Sequence, residues 1–213
     1  MKKIMYNVFL NKNLLLTKNL TPKQSFFKDD IFNETFRLWD PKRSKFASAI
    51  LKKVELPLKR DSNVLYLGAS HGYTCSFLSD ILTKGCIFCL DFAPHVVRDL
   101  VYLCEKRKNM SPLLEDANHP ENYKNKISKV NLIFQDIAQR NQVQIFLKNI
   151  KTFLNKDDYA ILVVKARSID VTKNPKIIFN DVEIELRKHL KLIDRASLFP
   201  YERDHFIFVC QVK

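Results

Sequence analysis

The chain has 213 residues, which is room for one full-size domain and a small additional module but not for two large domains. A hydrophobic fraction of 46% and an aromatic fraction of 11% exclude a disordered chain, and no apolar run approaches the roughly 20 residues that a transmembrane helix needs. The formal net charge of +13 predicts an anionic partner, and lysines spread along the whole chain favour nucleic acid over a membrane surface. No apolar signal segment is visible at the start, so we expect an intracellular protein.

Residues 1–53 are predicted to form a small β module and a linking helix. Two apolar stretches, Val8–Leu10 and Leu14–Leu16, are separated by Asn-Lys-Asn, which suits a tight hairpin turn. We therefore expect antiparallel strands in residues 1 to about 36. Between residues 37 and 53, a turn at Asp40-Pro41 precedes apolar side chains at helical spacing.

The second predicted domain, residues 54–213, alternates β-type runs with helix-like stretches, as a parallel sheet with right-handed crossovers does. The predicted helices include Pro94–Lys108, Gln139–Leu154 and a last one near Pro175–Leu190. This order predicts an α/β, Rossmann-like sheet. The β-type runs are Val64–Gly68, Cys86–Asp91, Met110–Asp116, Val130–Asp136, Tyr159–Ala166, Lys191–Leu198 and His205–Val212.

The cysteines do not indicate a metal site. Cys86 and Cys89 have the spacing of half a zinc site, but no second Cys or His pair has a matching spacing. They also fall in a predicted strand, where residues three apart point to opposite faces. We predict five reduced cysteines and no bound metal.

Small or acidic residues stand where four of the predicted strands end: Gly68 to Gly72 follow the first strand, and Asp91, Asp116 and Asp136 end the next three. Ligands of open α/β sheets lie beyond the carboxyl ends of the strands, so we expect one shared site. Asp91 suits ribose hydroxyls and Asp116 an adenine amino group. Each acid alone is equally a candidate helix N-cap. The glycine pattern does not separate a nicotinamide cofactor, a phosphorylated nucleotide and a sulfonium nucleoside.

Longer strings of residues are more specific in combination. They are Thr17–Pro22, Phe36–Ala47, Val64–Ala69, Arg98–Leu100, Glu115–Ala117, Asp136–Gln139, Lys165–Ala166 and Tyr201–His205. In these strings the chain resembles the fibrillarin family of RNA-guided ribose 2′-O-methyltransferases over nearly its whole length. The resemblance implies a class I methyltransferase sheet, mostly parallel with an antiparallel last strand. It also implies S-adenosylmethionine as the methyl donor.

The resemblance further implies which residues form the site. The catalytic Lys-Asp-Lys-His group proposed for the family falls on Lys45, Asp136, Lys165 and His205. Taken singly, these four have ordinary interpretations, such as a solvated lysine, a helix cap or a satisfied edge histidine. The implied cofactor-binding residues are Gly68, Ala69, Tyr73, Thr74, Asp91, Phe92, Asp116, Ala117, Asp136, Ile137, Ala138 and Gln139.

Two positions depart from the usual family pattern. Tyr73 replaces the first threonine after the glycine turn, and Asp91 replaces a glutamate that is one methylene longer. Asp91 keeps the hydrogen-bonding group that a ribose needs.

The partners implied by the resemblance are a box C/D guide RNA, target rRNA, a Nop-domain scaffold protein and a kink-turn-binding protein, with no membrane. The implied location is the nucleolus, or the cytoplasm if the source is archaeal. Two alternatives stay open at this point. One is a catalytically weakened structural subunit of the same particle, and the other is a protein glutamine methyltransferase.

Overall fold

The computed structural model describes residues 1–28 and 30–213. Within these residues the first sheet has four antiparallel strands in the order β1-β2-β3-β4. Asn11 pairs with Leu14, so Lys12 and Asn13 form the hairpin turn, and Lys12 has a φ of 53°. The predicted antiparallel module is thus confirmed. Its strands are β1 (Lys2–Met5), β2 (Val8–Asn11), β3 (Leu14–Lys18) and β4 (Phe36–Leu38).

The second sheet has seven strands in the described part of the chain, in the order β10-β11-β9-β8-β5-β6-β7. Strands β5 to β9 are mutually parallel, and β11 runs antiparallel to both of its neighbours. The predicted Rossmann-like sheet with an antiparallel last strand is confirmed. Its strands are β5 (Asn63–Leu67), β6 (Cys86–Asp91), β7 (Met110–Leu114), β8 (Leu132–Gln135), β9 (Tyr159–Lys165), β10 (Leu190–Ser197) and β11 (His205–Val212).

The helices connect these strands: α1 (Lys45–Leu51), α2 (Tyr73–Ile81), α3 (Pro94–Lys106), α4 (Pro120–Tyr123), α5 (Gln142–Phe153), α6 (Ala166–Ile169) and α7 (Pro175–His189), with a 3-10 turn at Lys124–Lys126. One prediction needs correction. Arg37 lies in strand β4 instead of opening the segment that leads into the helix. Helix α1 begins only at Lys45, because the Ser44 side chain caps it by accepting a hydrogen bond from the Ala47 N–H at 3.2 Å.

A continuous apolar core joins the first module to one face of the large sheet. The Trp39 ring stacks on Phe46 and on Phe77 of α2, with centroids 5.9 and 5.1 Å apart. These rings pack with Val64 and Tyr66 of β5 in the same buried cluster. The other face of the sheet is covered separately by α5 and α7. The predicted domain boundary after residue 53 stays a prediction.

Beside this core lies a buried group of ion pairs, which we call the Asp80 network: Asp80, Asp30, Arg37 and Arg107. Arg37 contacts Asp30 at 2.8 Å and Asp80 at 3.0 Å, and Arg107 contacts Asp80 at 2.8 Å. All four side chains are at most 1% exposed. The Thr17 hydroxyl donates a further hydrogen bond to Asp80 at 2.7 Å. The network therefore ties β3 and β4 to helix α2 by paired charges that water does not reach.

The five cysteines are free, as predicted, and four of them are buried. Burial raises the pKa of the Cys210 thiol to about 12, which keeps it protonated at neutral pH. In the described ranges, 1–28 and 30–213, no three metal-ligating side chains cluster together. In the same ranges no helix combines the length and the apolarity needed to cross a membrane.

Candidate cofactor and catalytic site

Two cavities meet beyond the carboxyl ends of β5, β6 and β8, and they share Gly68, Ser70 and Asp136. The smaller has a volume of about 390 Å³ and the larger about 770 Å³. All twelve of the predicted cofactor residues line one or both of them. The larger cavity takes Gly68, Ala69, Tyr73, Thr74 and Asp136, and the smaller takes Gly68, Asp91, Phe92, Asp116, Ala117, Asp136, Ile137, Ala138 and Gln139.

The turn between β5 and α2 depends on its two glycines. Gly68 has a φ of +85°, and a Cβ there would lie 2.3 Å from the backbone oxygen of Asp136. Gly72 has a φ of +81°, and its Cβ would lie 2.5 Å from the Leu103 side chain of α3. Neither place accepts a larger residue without movement. The glycines therefore let the turn approach β8 and α3 closely, which shapes both cavities.

Replacing Gly68 with alanine is expected to destabilise the fold by about 2 kcal/mol, since the positive φ and the close Asp136 oxygen both oppose a Cβ. Urea unfolding followed by circular dichroism measures this change. The control is Ser70→Ala in the same turn, where an exposed side chain is shortened and the change should stay within about 0.5 kcal/mol. Equal stability of both variants would mean that the turn relaxes freely.

Asp91 fastens the turn to the end of β6. One carboxylate oxygen accepts the Ser70 N–H at 2.9 Å, and the other accepts the Ala93 N–H at 3.1 Å. A carboxylate has about four acceptor positions, so two remain for a ligand. Asp91 is not the N-cap of α3, which is Ala93, so its carboxylate stabilises the two loops and keeps acceptor positions for a ligand.

Asp116, at the far side of the smaller cavity, is held as an anion. Its burial opposes ionisation, but hydrogen bonds from the Asn118 backbone at 2.8 Å and side chain at 2.9 Å outweigh that effect and lower the pKa of Asp116. Asn118 also donates to the Gln139 side chain at 3.1 Å. The neighbouring wall is apolar, with Ala117 and Ile137 among its residues. A flat, partly apolar group with an amino substituent fits this chemistry.

Tyr73 directs its hydroxyl away from the glycine turn. The Asp40 N–H donates to that hydroxyl at 3.1 Å. The Tyr73 ring packs edge-on against Phe27, with centroids 5.1 Å apart, and the Arg43 guanidinium lies 4.0 Å from its centroid. The bulk that departs from the family pattern therefore fills a wall of the larger cavity and connects the turn to the loop before α1.

Lys45 and Asp136 lie together at the border of the two cavities, with Nζ and Oδ2 3.5 Å apart. Burial disfavours the ammonium charge, but the attraction of Asp136 and of Glu202 outweighs it and raises the pKa of Lys45. Ser44, the residue before Lys45, accepts a hydrogen bond from the Thr74 hydroxyl at 3.0 Å. This bond fixes the start of α1, and with it Lys45, against the start of α2. The cavity thus contains a permanently charged lysine beside a carboxylate.

Lys165 and His205 are brought together by strand register, since they pair across β9 and β11. Neither lines the two cavities, and Lys165 is exposed with no ion pair among residues 1–28 and 30–213. His205 Nδ1 lies 2.7 Å from the Arg203 carbonyl oxygen, which only accepts. Nδ1 therefore carries a hydrogen, and Nε2 is the nitrogen that can take a proton.

Glu202 is a site residue that the sequence analysis did not single out. Its Oε1 is 3.6 Å from Lys45 Nζ, and its Oε2 is 3.8 Å from His205 Nδ1. The only sequence signal was its position in the string Tyr201–His205, three residues before His205. The four predicted catalytic residues thus form one ion pair, Lys45 with Asp136, and one pair of strand neighbours, Lys165 with His205, and Glu202 lies between Lys45 and His205.

The reversal of strand order at β5, the antiparallel β11, the acid that ends β6 and the acids just beyond β7 and β8 define the fold and site of a class I methyltransferase. The Fibrillarin family model matches residues 1–213. A fibrillarin-like rRNA/tRNA 2′-O-methyltransferase of Methanocaldococcus jannaschii is 42% identical over 211 residues, covering 96% of this chain and 92% of the relative. The chain belongs to the fibrillarin family, as its resemblance predicted.

Two solved structures show the same architecture. The fibrillarin of a fibrillarin/Nop5p complex superimposes with a TM-score of 0.94 at 39% identity, covering 100% of both chains. Aeropyrum pernix fibrillarin, crystallised with natively bound S-adenosyl-L-methionine, superimposes with a TM-score of 0.83 at 37% identity, covering 92% of this chain and 88% of that one. The fold is therefore shared with two fibrillarins that are 39% and 37% identical to this chain.

Proposed function

We propose that this chain is a ribose 2′-O-methyltransferase that uses S-adenosylmethionine and is directed to its target nucleotide in rRNA by the guide RNA of a box C/D ribonucleoprotein. One observation carries the proposal. The Lys45–Asp136 pair lies at the border between a cavity lined by strand-end acids and a larger, open cavity. Cofactor and substrate can therefore approach the same carboxylate from two sides.

The residues of the smaller cavity fit the adenosine part of S-adenosylmethionine. The free acceptor positions of Asp91 suit the ribose hydroxyls, and the ionised Asp116 suits an amino group of the base. Phe92, 66% exposed at the rim, offers a ring face for stacking. The small residues Gly68 and Ala69 leave room for the remaining part of the cofactor to reach Asp136.

S-adenosylmethionine supplies an electrophilic methyl group, so the ribose oxygen gains a bond to carbon as the carbon–sulfur bond breaks, and the hydroxyl proton must leave. Much of the rate of such an in-line displacement comes from positioning. Asp136 and Lys165 orient the hydroxyl and assist loss of its proton. Lys45 favours the developing negative charge, and His205 Nε2 receives the proton on its way to solvent.

For the partners we propose the guide and target RNA, a Nop-domain scaffold protein and a kink-turn-binding protein. The net charge of +13 supports binding to RNA backbone. A complex with Nop5p is known for a relative of this chain. The relatives from Methanocaldococcus jannaschii and Aeropyrum pernix are archaeal proteins. An archaeal source favours the cytoplasm over the nucleolus as the location of this chain.

The test is methyl transfer by a particle reconstituted from this chain, the two partner proteins and a guide RNA, with labelled S-adenosylmethionine. We expect methylated ribose only at the nucleotide that the guide specifies, and no product when the guide is mismatched. Isothermal titration with S-adenosylmethionine runs in parallel. No detectable binding of S-adenosylmethionine would favour the structural-subunit alternative, and label in protein would favour the glutamine methyltransferase.

A further inference from the structure

Glu202 occupies a fixed place between β10 and β11. Its backbone N–H donates to the Leu198 carbonyl at 3.1 Å, and the Tyr201 N–H donates to the same oxygen at 3.0 Å, so the turn is held from within. The Glu202 side chain is only 19% exposed. A carboxylate that is this far buried needs compensating partners. Its ion-pair partner is Lys45 at 3.6 Å, whereas His205 Nδ1 lies 3.8 Å away and donates its hydrogen to Arg203 instead.

Lys45 lies between two carboxylates that come from different parts of the chain. Asp136 follows β8 and contacts its Nζ at 3.5 Å, while Glu202 precedes β11 and contacts it at 3.6 Å. The larger cavity is also lined by Arg43, a cation, and by the His71–Asp99 pair, and His205 lies next to Glu202. Two negative charges therefore face one ammonium at nearly equal distances.

The charge count matters for the chemistry. With Asp136 as the only partner, the ammonium of Lys45 would neutralise the carboxylate that has to accept from a ribose hydroxyl. With Glu202 present, the trio of Lys45, Asp136 and Glu202 keeps one net negative charge. Half-buried charges of this kind interact more strongly than surface pairs, because little water separates them.

We propose that Glu202 is a positioning residue of the methyl-transfer site: it shares the ammonium of Lys45 with Asp136. The inference rests on the proposed function for its effect on rate. Its effect on Lys45 can be measured without any reaction.

The test compares wild type with Glu202→Gln, which keeps the shape and removes the charge. We expect the single-turnover methylation rate of the reconstituted particle to fall by about 10-fold, with unchanged affinity for S-adenosylmethionine and an unchanged melting temperature. We also expect the titration of Lys45, followed by NMR of ¹³Cε-labelled lysine and assigned with Lys45→Arg, to move to lower pH, because one of the two attracting carboxylates is lost. Glu105→Gln, which removes an exposed charge near the end of α3, should change neither quantity.

The outcomes separate the two proposals. If wild type methylates its target and Glu202→Gln keeps the wild-type rate and the wild-type Lys45 titration, the positioning role is wrong and the function stands. If wild type fails to methylate, the proposed function is wrong, and the Lys45 titration still decides whether Glu202 holds that lysine. A lower melting temperature with an unmoved Lys45 titration would show that Glu202 only supports the fold.

Discussion

Replacing Lys165 with alanine is expected to lower the single-turnover rate of methyl transfer by about 100-fold or more, the range for loss of a group that assists proton transfer. The fold should survive, because the Lys165 side chain is exposed at the end of β9 and leaves no cavity when it is removed. Its backbone N–H, which donates to Gln142 at 3.3 Å, is retained in the variant. The rate is measured in the reconstituted particle with saturating S-adenosylmethionine.

The control for this variant is Lys191→Ala, which removes an exposed lysine from β10 and makes the same change in net charge. It should methylate as fast as wild type, so a general loss of RNA binding would be visible as a loss in both variants. A wild-type rate for Lys165→Ala would remove Lys165 from the catalytic group. It would leave the assignment of Asp136 open to a separate Asp136→Ala measurement.

Replacing Asp80 with asparagine is expected to destabilise the protein by about 4 kcal/mol, measured by urea unfolding. Asp80 is fully buried and is the partner of both Arg37 and Arg107, so its neutralisation leaves two buried guanidinium groups with one carboxylate, Asp30, near one of them. The loss of one partner of a buried ion pair costs far more than the pair itself contributes. The variant should therefore unfold at much lower urea concentration.

A milder variant keeps the experiment informative if the asparagine variant does not fold. Thr17→Val removes the hydrogen bond to Asp80 and should cost about 1 kcal/mol. The control is Asp181→Asn, which breaks an exposed 3.8 Å contact with Lys173 and should change the stability by at most about 0.5 kcal/mol. If Asp80→Asn is as stable as Asp181→Asn, the Asp80 network does not stabilise the fold.

The alternation of apolar runs and helical stretches was enough to predict the large sheet, because burial on both faces makes parallel strands nearly continuous apolar segments. The strand-end acids were equally visible, since any ligand of such a sheet lies beyond the same ends. Asp116 and Asp136 lie just beyond the strands instead of within them, which moves them into the loops that line the cavities.

The contacts that could not be predicted are those between charged residues far apart in the chain. Arg37 and Arg107 are unremarkable single arginines in the sequence, and only folding shows that both reach Asp80. Glu202 and Lys45 are likewise separated by most of the chain before the fold brings them within 3.6 Å. The periodicity of apolar residues indicates which face of a helix or strand is buried. It carries no information about which charged side chains contact each other across the fold.

Lys45 is the first residue of α1, so this site residue belongs to the small module of residues 1–53 and not to the large sheet. The hydrogen bond between Thr74 and Ser44 holds the start of α1 against the start of α2. The small module therefore contributes one side of the proposed active site, and the large sheet contributes the other. Cutting the chain after residue 53 would remove Lys45, an electrostatic partner of Asp136, and would also remove Trp39 and Phe46 from the core that the module shares with the large sheet. Loss of the small module should therefore impair the fold and the site together, because the same residues serve both.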